Sequence, residues 1–163
     1  MAIVGYMGSG KSTVGRLLAR RTGRDFVDVD DEISRRAGRS IPEIFAESGE
    51  EGFRDLEQEA LRDALNRPRP AVISCGGGSI LRGANREALN AVTAIFLGED
   101  LDTLYARTRG PNRPLRGVSR AEFDRRYAER LPLYREVAEA EFRAEGRRPS
   151  AIVEEVALWL HER

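Results

Sequence analysis

Lys11 and Ser12 close the run Gly5-Tyr6-Met7-Gly8-Ser9-Gly10-Lys11-Ser12, which fits the phosphate-binding pattern GxxxxGK[ST]. Glycines at 5, 8 and 10 let the backbone curl so that successive N–H groups point at the β- and γ-phosphates of a nucleotide. Lys11 then supplies a mobile cation and Ser12 a hydroxyl for Mg²⁺. Ala2-Ile3-Val4 ahead of the loop suits a strand. Residues 12–21 behind it place Val14, Leu17 and Leu18 at helical spacing, so a helix N-terminus faces the phosphates.

Phe26-Val27-Asp28-Val29-Asp30-Asp31 ends a second apolar run with carboxylates two residues apart. Strand alternation puts Asp28 and Asp30 on one side, at the carboxyl edge of a parallel sheet. One acid would stand near a metal ion and the other near an acceptor hydroxyl. Helix capping is the competing reading, and Asp31 takes it.

A helix opens within Gly49-Glu50-Glu51-Gly52-Phe53-Arg54-Asp55-Leu56-Glu57 and continues to about Leu65. Phe53, Leu56, Ala60 and Ala64 form its apolar arc, with Glu57 inside the arc and Arg54 at its edge. A carboxylate there needs a partner, and Arg54 is three residues away on the same side. The pair either holds a rigid guanidinium for an anionic ligand or is a structural ion pair near the core.

Val72-Ile73-Ser74-Cys75 empties into Gly76-Gly77-Gly78, which opens the backbone to close approach by a ligand. Ser74 or Cys75 could support a metal's water shell, or both are ordinary small strand residues. Farther on, Arg107, Arg109, Arg113, Arg116 and Arg120 surround a Gly-Pro-Asn hinge, and Arg130 precedes Leu131-Pro132-Leu133-Tyr134. Arginines on a mobile loop can close over a triphosphate and stabilise charge during phosphoryl transfer. Arg120, Arg125, Arg126 and Arg135 read instead as solvated helix positions.

The elements that must position these groups alternate in type. Apolar runs at 2–4, 26–29, 71–75 and 92–97, with a weaker one at 141–144, are separated by helical patterns, which predicts a parallel sheet wrapped by helices. A long helical insert from about 31 to 66 and the stretch broken at Arg109-Gly110-Pro111-Asn112-Arg113-Pro114 are the places for a substrate subdomain and a lid. Residues 150–163 carry Ile152, Val153, Val156, Trp159 and Leu160 on one helical face, with Ser150 as cap. The 163 residues, 40% of them hydrophobic, suit one compact α/β domain. Basic and acidic residues balance at 27 each, so no global field argues for nucleic acid. A single cysteine, Cys75, excludes an internal disulfide and a thiol-rich zinc site. Met1 runs directly into the first strand and no apolar stretch approaches transmembrane length, so a cytoplasmic protein without a membrane partner is expected.

In order along nearly the whole chain, GYMGSGKSTVGRLLA at 5–19, FVDVD at 26–30, FAESGEEGFRDLE at 45–57, CGGG at 75–78, RPL at 113–115 and ERLPLY at 129–134 resemble the shikimate kinase family. The resemblance implies a three-layer P-loop NTPase fold, a five-stranded parallel sheet in order 2-3-1-4-5 flanked by helices. It implies one domain over 1–163, with an acceptor-binding insert at about 31–60 and a lid at about 108–120. The implied reaction moves the γ-phosphoryl of ATP to the 3-hydroxyl of shikimate, giving shikimate 3-phosphate and ADP on the route to chorismate. Carried over residue by residue, Lys11 with Gly8, Ser9, Gly10, Ser12 and Thr13 holds the phosphates, Ser12 ligates Mg²⁺, and Asp28 reaches the metal through water. Asp30 contacts ring hydroxyls and serves as base, while Arg54, Arg130 and the Gly76, Gly77 and Gly78 turn bind shikimate, with Glu57 orienting Arg54. Arg113 reaches the phosphates from the lid, and Arg107, Arg148 and Pro149 flank adenine. The partners are then shikimate and ATP, bound by a monomer. Shikimate has one carboxylate and three hydroxyls, which suits two arginines and an acid. The rival is another small-molecule P-loop kinase, such as a gluconate kinase, which shares the first motif without the Asp30, Arg54 and Arg130 set. A nucleotide-dependent switch is a third reading, against which stands the lack of an NKxD guanine-reading motif.

Overall fold

Side chains alternate across a strand, and in the first strand Ala2 and Val4 enter one core while Ile3 enters another. Ala94 and Phe96 follow the first pair, and Ile95 and Leu97 follow Ile3. A sheet with apolar groups on both faces must be covered twice, which makes three layers.

The computed structural model describes residues 1–108 and 119–162. In chain order these form β1 (Ala2–Val4), α1 (Lys11–Thr22), β2 (Asp25–Asp28), α2 (Val29–Ala37), α3 (Ile41–Leu65), β3 (Ala71–Ser74), a 3₁₀ turn (Ser79–Leu81), α4 (Gly83–Asn90), β4 (Ala94–Gly98), α5 (Leu101–Arg107), α6 (Arg120–Val137), β5 (Ala140–Arg143) and α7 (Pro149–His161). The strands make one parallel sheet in the order β2-β3-β1-β4-β5. Val14 and Leu18 of α1 and Ile152, Val153 and Val156 of α7 cover one face. Ile33, Ile44, Phe53, Leu61, Leu89, Phe123 and Tyr134, from α2, α3, α4 and α6, fill the other.

One local expectation gains detail and two change. The helical insert is two helices, and the second bends at Gly49, whose φ of 68° and ψ of −173° interrupt the helix. That backbone is open to glycine and closed to most residues, so the segment bearing Arg54 restarts just past it. Strand β2 ends at Asp28 and α2 begins at Val29, so Asp30 sits in a helical first turn and strand alternation does not apply to it. Finally, α7 starts at Pro149 with Arg148 at its N-cap, which puts Ser150 inside the helix. Proline's fixed φ is already suited to the first helical position, and its missing N–H costs nothing there. The segment 109–118, with Arg109, Arg113 and Arg116, lies outside the described residues.

Helix α1 packs so tightly on the sheet that a Cβ at Gly15 would stand 2.8 Å from Phe26 Cε2 and 3.4 Å from Ile3 Cδ1. Gly15→Val should therefore lower unfolding free energy by about 1–3 kcal/mol through overpacking, read as a reduced urea midpoint with an unchanged m-value.

Candidate active site

Parallel register brings the carboxyl ends of three strands together, Ser74 of β3 lying beside both Asp28 of β2 and Ile3 of β1. The loop from Gly5 to Gly10 leaves β1 at this edge, and Gly10, at φ 91°, turns the chain into α1. A cavity of about 290 Å³ opens there, lined among others by Lys11, Ser12, Asp28, Asp30, Gly77 and Arg107. Gly8, Gly10 and Thr13 also face it, while Ser9 is buried, its Oγ without a hydrogen-bond partner. Lys11 reaches back along the loop, its Nζ donating to the Tyr6 carbonyl at 2.9 Å.

Ser12 Oγ donates to Asp28 Oδ2 at 2.6 Å and lies 3.3 Å from Ser74 Oγ. These hard oxygens fit Mg²⁺, which accepts few protein ligands and completes its shell with water and phosphate. Asp28 performs a second task, because its Oδ1 accepts from Asp30 N at 3.1 Å and caps α2. The capping acid is thus Asp28, while Asp31 is an exposed residue of the first turn. Although their backbones differ, Asp28 and Asp30 face one cavity, one from a strand end and one from a helix start. Cys75 also lines it, but burial pushes its thiol up to about 12, so it stays protonated and offers no thiolate to a metal.

Beside this cavity lies a buried ionic cluster. Arg54 Nη1 donates to Glu57 Oε2 at 2.5 Å, the two side chains being 5% and 1% exposed, and Ser79 Oγ donates to Glu57 Oε1 at 3.0 Å. Ser79 is fixed in turn by Asn85, whose Nδ2 donates to its carbonyl at 2.9 Å. Glu57 is therefore satisfied on both oxygens. Arg54 is not, since its buried Nε has no hydrogen-bond partner. Such a donor costs about 1–3 kcal/mol unless something accepts from it, which favours an anion nearby over a purely structural pair.

The turn of three glycines also borders this cluster. A Cβ on Gly78 would strike the Arg54 guanidinium, and one on Gly76 would strike Glu57 Oε1 and stand 2.9 Å from Asp30 Oδ1. Their smallness makes room for the protein's own charges, and only Gly77 faces the cavity. The Gly77 carbonyl accepts from Arg130 Nη1 at 3.4 Å and from the Tyr134 hydroxyl. Arg130 is buried and its guanidinium stands 5.6 Å from the centre of the Tyr6 ring. Two buried arginines from distant helices thus meet at one glycine turn.

Arg107 reaches the same cavity from α5, donating to Glu99 Oε2 at 2.9 Å and to the Gly8 carbonyl at 3.3 Å. Arg148 and Pro149 are exposed at the head of α7 and do not line the cavity. Sequence reasoning gave no role to Tyr6, Ser79, Glu99 or Tyr134. Glu99 carried a signal, an acid at the carboxyl end of an apolar strand as Asp28 is; Ser79 carried none, because its partner is 22 residues away.

Residues 7–161 match the family model described as shikimate kinase. The shikimate kinase of Nitrosospira multiformis is 43% identical over 162 residues, 97% of this chain and 83% of that protein. That of Rhodococcus erythropolis is 38% identical over 164 residues, 99% of this chain and 96% of that one. The solved shikimate kinase from Acinetobacter baumannii in complex with shikimate has a TM-score of 0.93 at 35% identity, covering 99% of this chain and 92% of that one. A gluconokinase from Sinorhizobium meliloti, at 18% identity and a TM-score of 0.60, shares the fold alone. With the phosphate loop, the paired acids and the buried arginines at one sheet edge, the chain belongs to the shikimate kinase family.

Proposed function

We propose that this protein transfers the γ-phosphoryl group of ATP to the 3-hydroxyl of shikimate, forming shikimate 3-phosphate and ADP. The observation that carries this reading is the convergence of two buried arginines, Arg54 and Arg130, on the glycine turn beside a phosphate-binding loop. Buried guanidiniums suit a planar carboxylate, which they can grip through paired hydrogen bonds. Asp30 on the cavity wall then takes the acceptor's hydroxyls and receives the proton as the 3-oxygen bonds to phosphorus. The bond from phosphorus to the bridging oxygen breaks, and ADP carries away that electron pair. Lys11 and, from the segment at about 108–120 read as a lid, Arg113 neutralise charge on the transferring group. Ser12, with Asp28 through water, would hold Mg²⁺, which when bound spreads the negative charge of the β- and γ-phosphates. Helices α2 and α3 form the acceptor-binding insert of a single catalytic domain, and Arg107, with Arg148 and Pro149, is assigned to the adenine. Among the described residues no helix is long and apolar enough to cross a membrane.

ADP release followed over a panel of acceptors tests the reaction directly: turnover with shikimate and none with gluconate is expected. ADP release independent of any acceptor, or favouring gluconate, would remove the assignment.

Lys11→Met keeps a folded loop and deletes the cation, so kcat should fall by at least about a hundredfold while the thermal midpoint changes little. Arg54→Ala and Arg130→Ala should each weaken shikimate binding by about 2–5 kcal/mol with ATP binding retained, and should erase the preference for shikimate over its uncharged carboxamide. Equal wild-type turnover of the carboxamide would show that no arginine reads a carboxylate. Arg113→Ala should lower kcat about a hundredfold or more with shikimate affinity nearly unchanged, as a stopped-flow comparison of binding and turnover would reveal.

A further inference from the structure

We infer that Glu99 is a positioning residue for the nucleotide, a buried carboxylate that holds Arg107 against the phosphate-binding loop. This rests on the proposed ATP site and adds to it a residue outside the loop itself.

Glu99 follows β4 directly, and its side chain is 1% exposed. A lone carboxylate at that depth is costly, and burial raises its pKa. Its two oxygens are used differently. Oε1 accepts from Asp100 N at 3.2 Å, which ties the carboxylate to its own backbone, whereas Oε2 accepts from Arg107 Nη1 at 2.9 Å. The same Nη1 donates to the Gly8 carbonyl at 3.3 Å, so one nitrogen bridges the strand end and the loop. Arg107 is half exposed and lines the cavity. Its inner edge is held by Glu99 and its outer part is open to a ligand.

The backbone supports the same joint. A Cβ on Gly8 would lie 3.1 Å from Thr108 Cγ2, 3.2 Å from the Leu104 carbonyl and 3.4 Å from Arg107 Cβ, so the last turn of α5 packs directly on the loop. Thr108 is fully buried and donates its hydroxyl to the Leu104 carbonyl at 3.0 Å. An arginine at this turn, left to itself, samples many rotamers. Tethered to a buried carboxylate it loses that freedom before the nucleotide arrives, and the ordering cost is removed from binding. The effect belongs to nucleotide affinity, because Arg107 sits on α5 against the phosphate-binding loop while Arg54 and Arg130 sit on α3 and α6 at the glycine turn.

The test is a double-mutant cycle of Glu99→Met and Arg107→Ala, read by ATP and ADP titrations and by kcat and KM for both substrates. Methionine keeps the volume, suits the buried site and removes both acceptors. Glu99→Met should raise the Kd and KM for ATP about tenfold, with kcat and the KM for shikimate within about twofold of wild type. The double variant should bind ATP no more weakly than Arg107→Ala alone. Glu99→Gln, which restores an acceptor oxygen without the charge, should fall between wild type and Glu99→Met. A change in ATP binding under twofold, or additive effects of the two substitutions, would overturn the inference. Should Glu99→Met fail to fold, Glu99→Gln decides it: weaker ATP with unchanged shikimate binding supports the tether, and unchanged ATP binding ends it. Wild-type nucleotide binding in the same titration separates the two levels, since its absence would remove the kinase assignment and not merely the tether.

Discussion

The ion pair between Arg54 and Glu57 is the constraint around which the glycine turn after β3 is built. Two charges with side chains 5% and 1% exposed persist only if each is paired and hydrogen-bonded, because desolvation otherwise outweighs their attraction. Glu57 is satisfied by Arg54 and Ser79. That requirement propagates outward. Ser79 must stand where its hydroxyl reaches Glu57, so the chain leaves β3 through a glycine turn into a 3₁₀ turn, with Asn85 pinning the Ser79 carbonyl. Residues 76 and 78 can then carry no side chain, since Glu57 and Arg54 fill the space.

The turn made by those glycines also serves the far side of the site. The Gly77 carbonyl takes hydrogen bonds from Arg130 and Tyr134, both on α6, so that helix is joined to the turn after β3 through one peptide group. Tyr134 is fully buried and its ring stacks on Phe96 of β4 at 5.2 Å between centroids, which anchors α6 to the sheet. Burial raises the phenol's pKa, so it remains a hydrogen-bond donor at neutral pH. Tyr6 adds a link between loop and helix, its ring edge-on to Phe123 and Tyr127. Positive groups near the cavity are thereby carried on packed elements, and rigid donors aimed at an anion are what electrostatic catalysis requires.

The nucleotide side rests on backbone geometry. Parallel strands end together, and the β1 to α1 connection leaves at the sheet edge where the order reverses from β3 to β4 on either side of β1. Such an edge is where open α/β sheets bind ligands. Asp28 shows how closely the two sides are connected: one oxygen caps α2 and the other takes the Ser12 hydroxyl. A single carboxylate therefore fixes the start of the insert and a candidate metal-binding hydroxyl at once.

Much of this was legible in the chain itself, because local rules leave few alternatives. The loop from Gly5 to Ser12 is a contiguous pattern whose backbone needs are met by its own glycines, and the apolar runs marked all five strands to within about two residues. The helical position of Glu57 inside an apolar arc likewise called for a partner, and Arg54, three residues away on the same side, supplies it. What tertiary structure decided was every relation between residues distant in sequence. It placed Asp30 in a helix and still on the cavity wall, set the glycine turn against Arg54 and Glu57, and gave Glu99 its partner in Arg107. Spacing along one element fixes which side chains share a face, but contacts across elements depend on how strands order and helices pack, and those follow from burying both faces of the sheet at once.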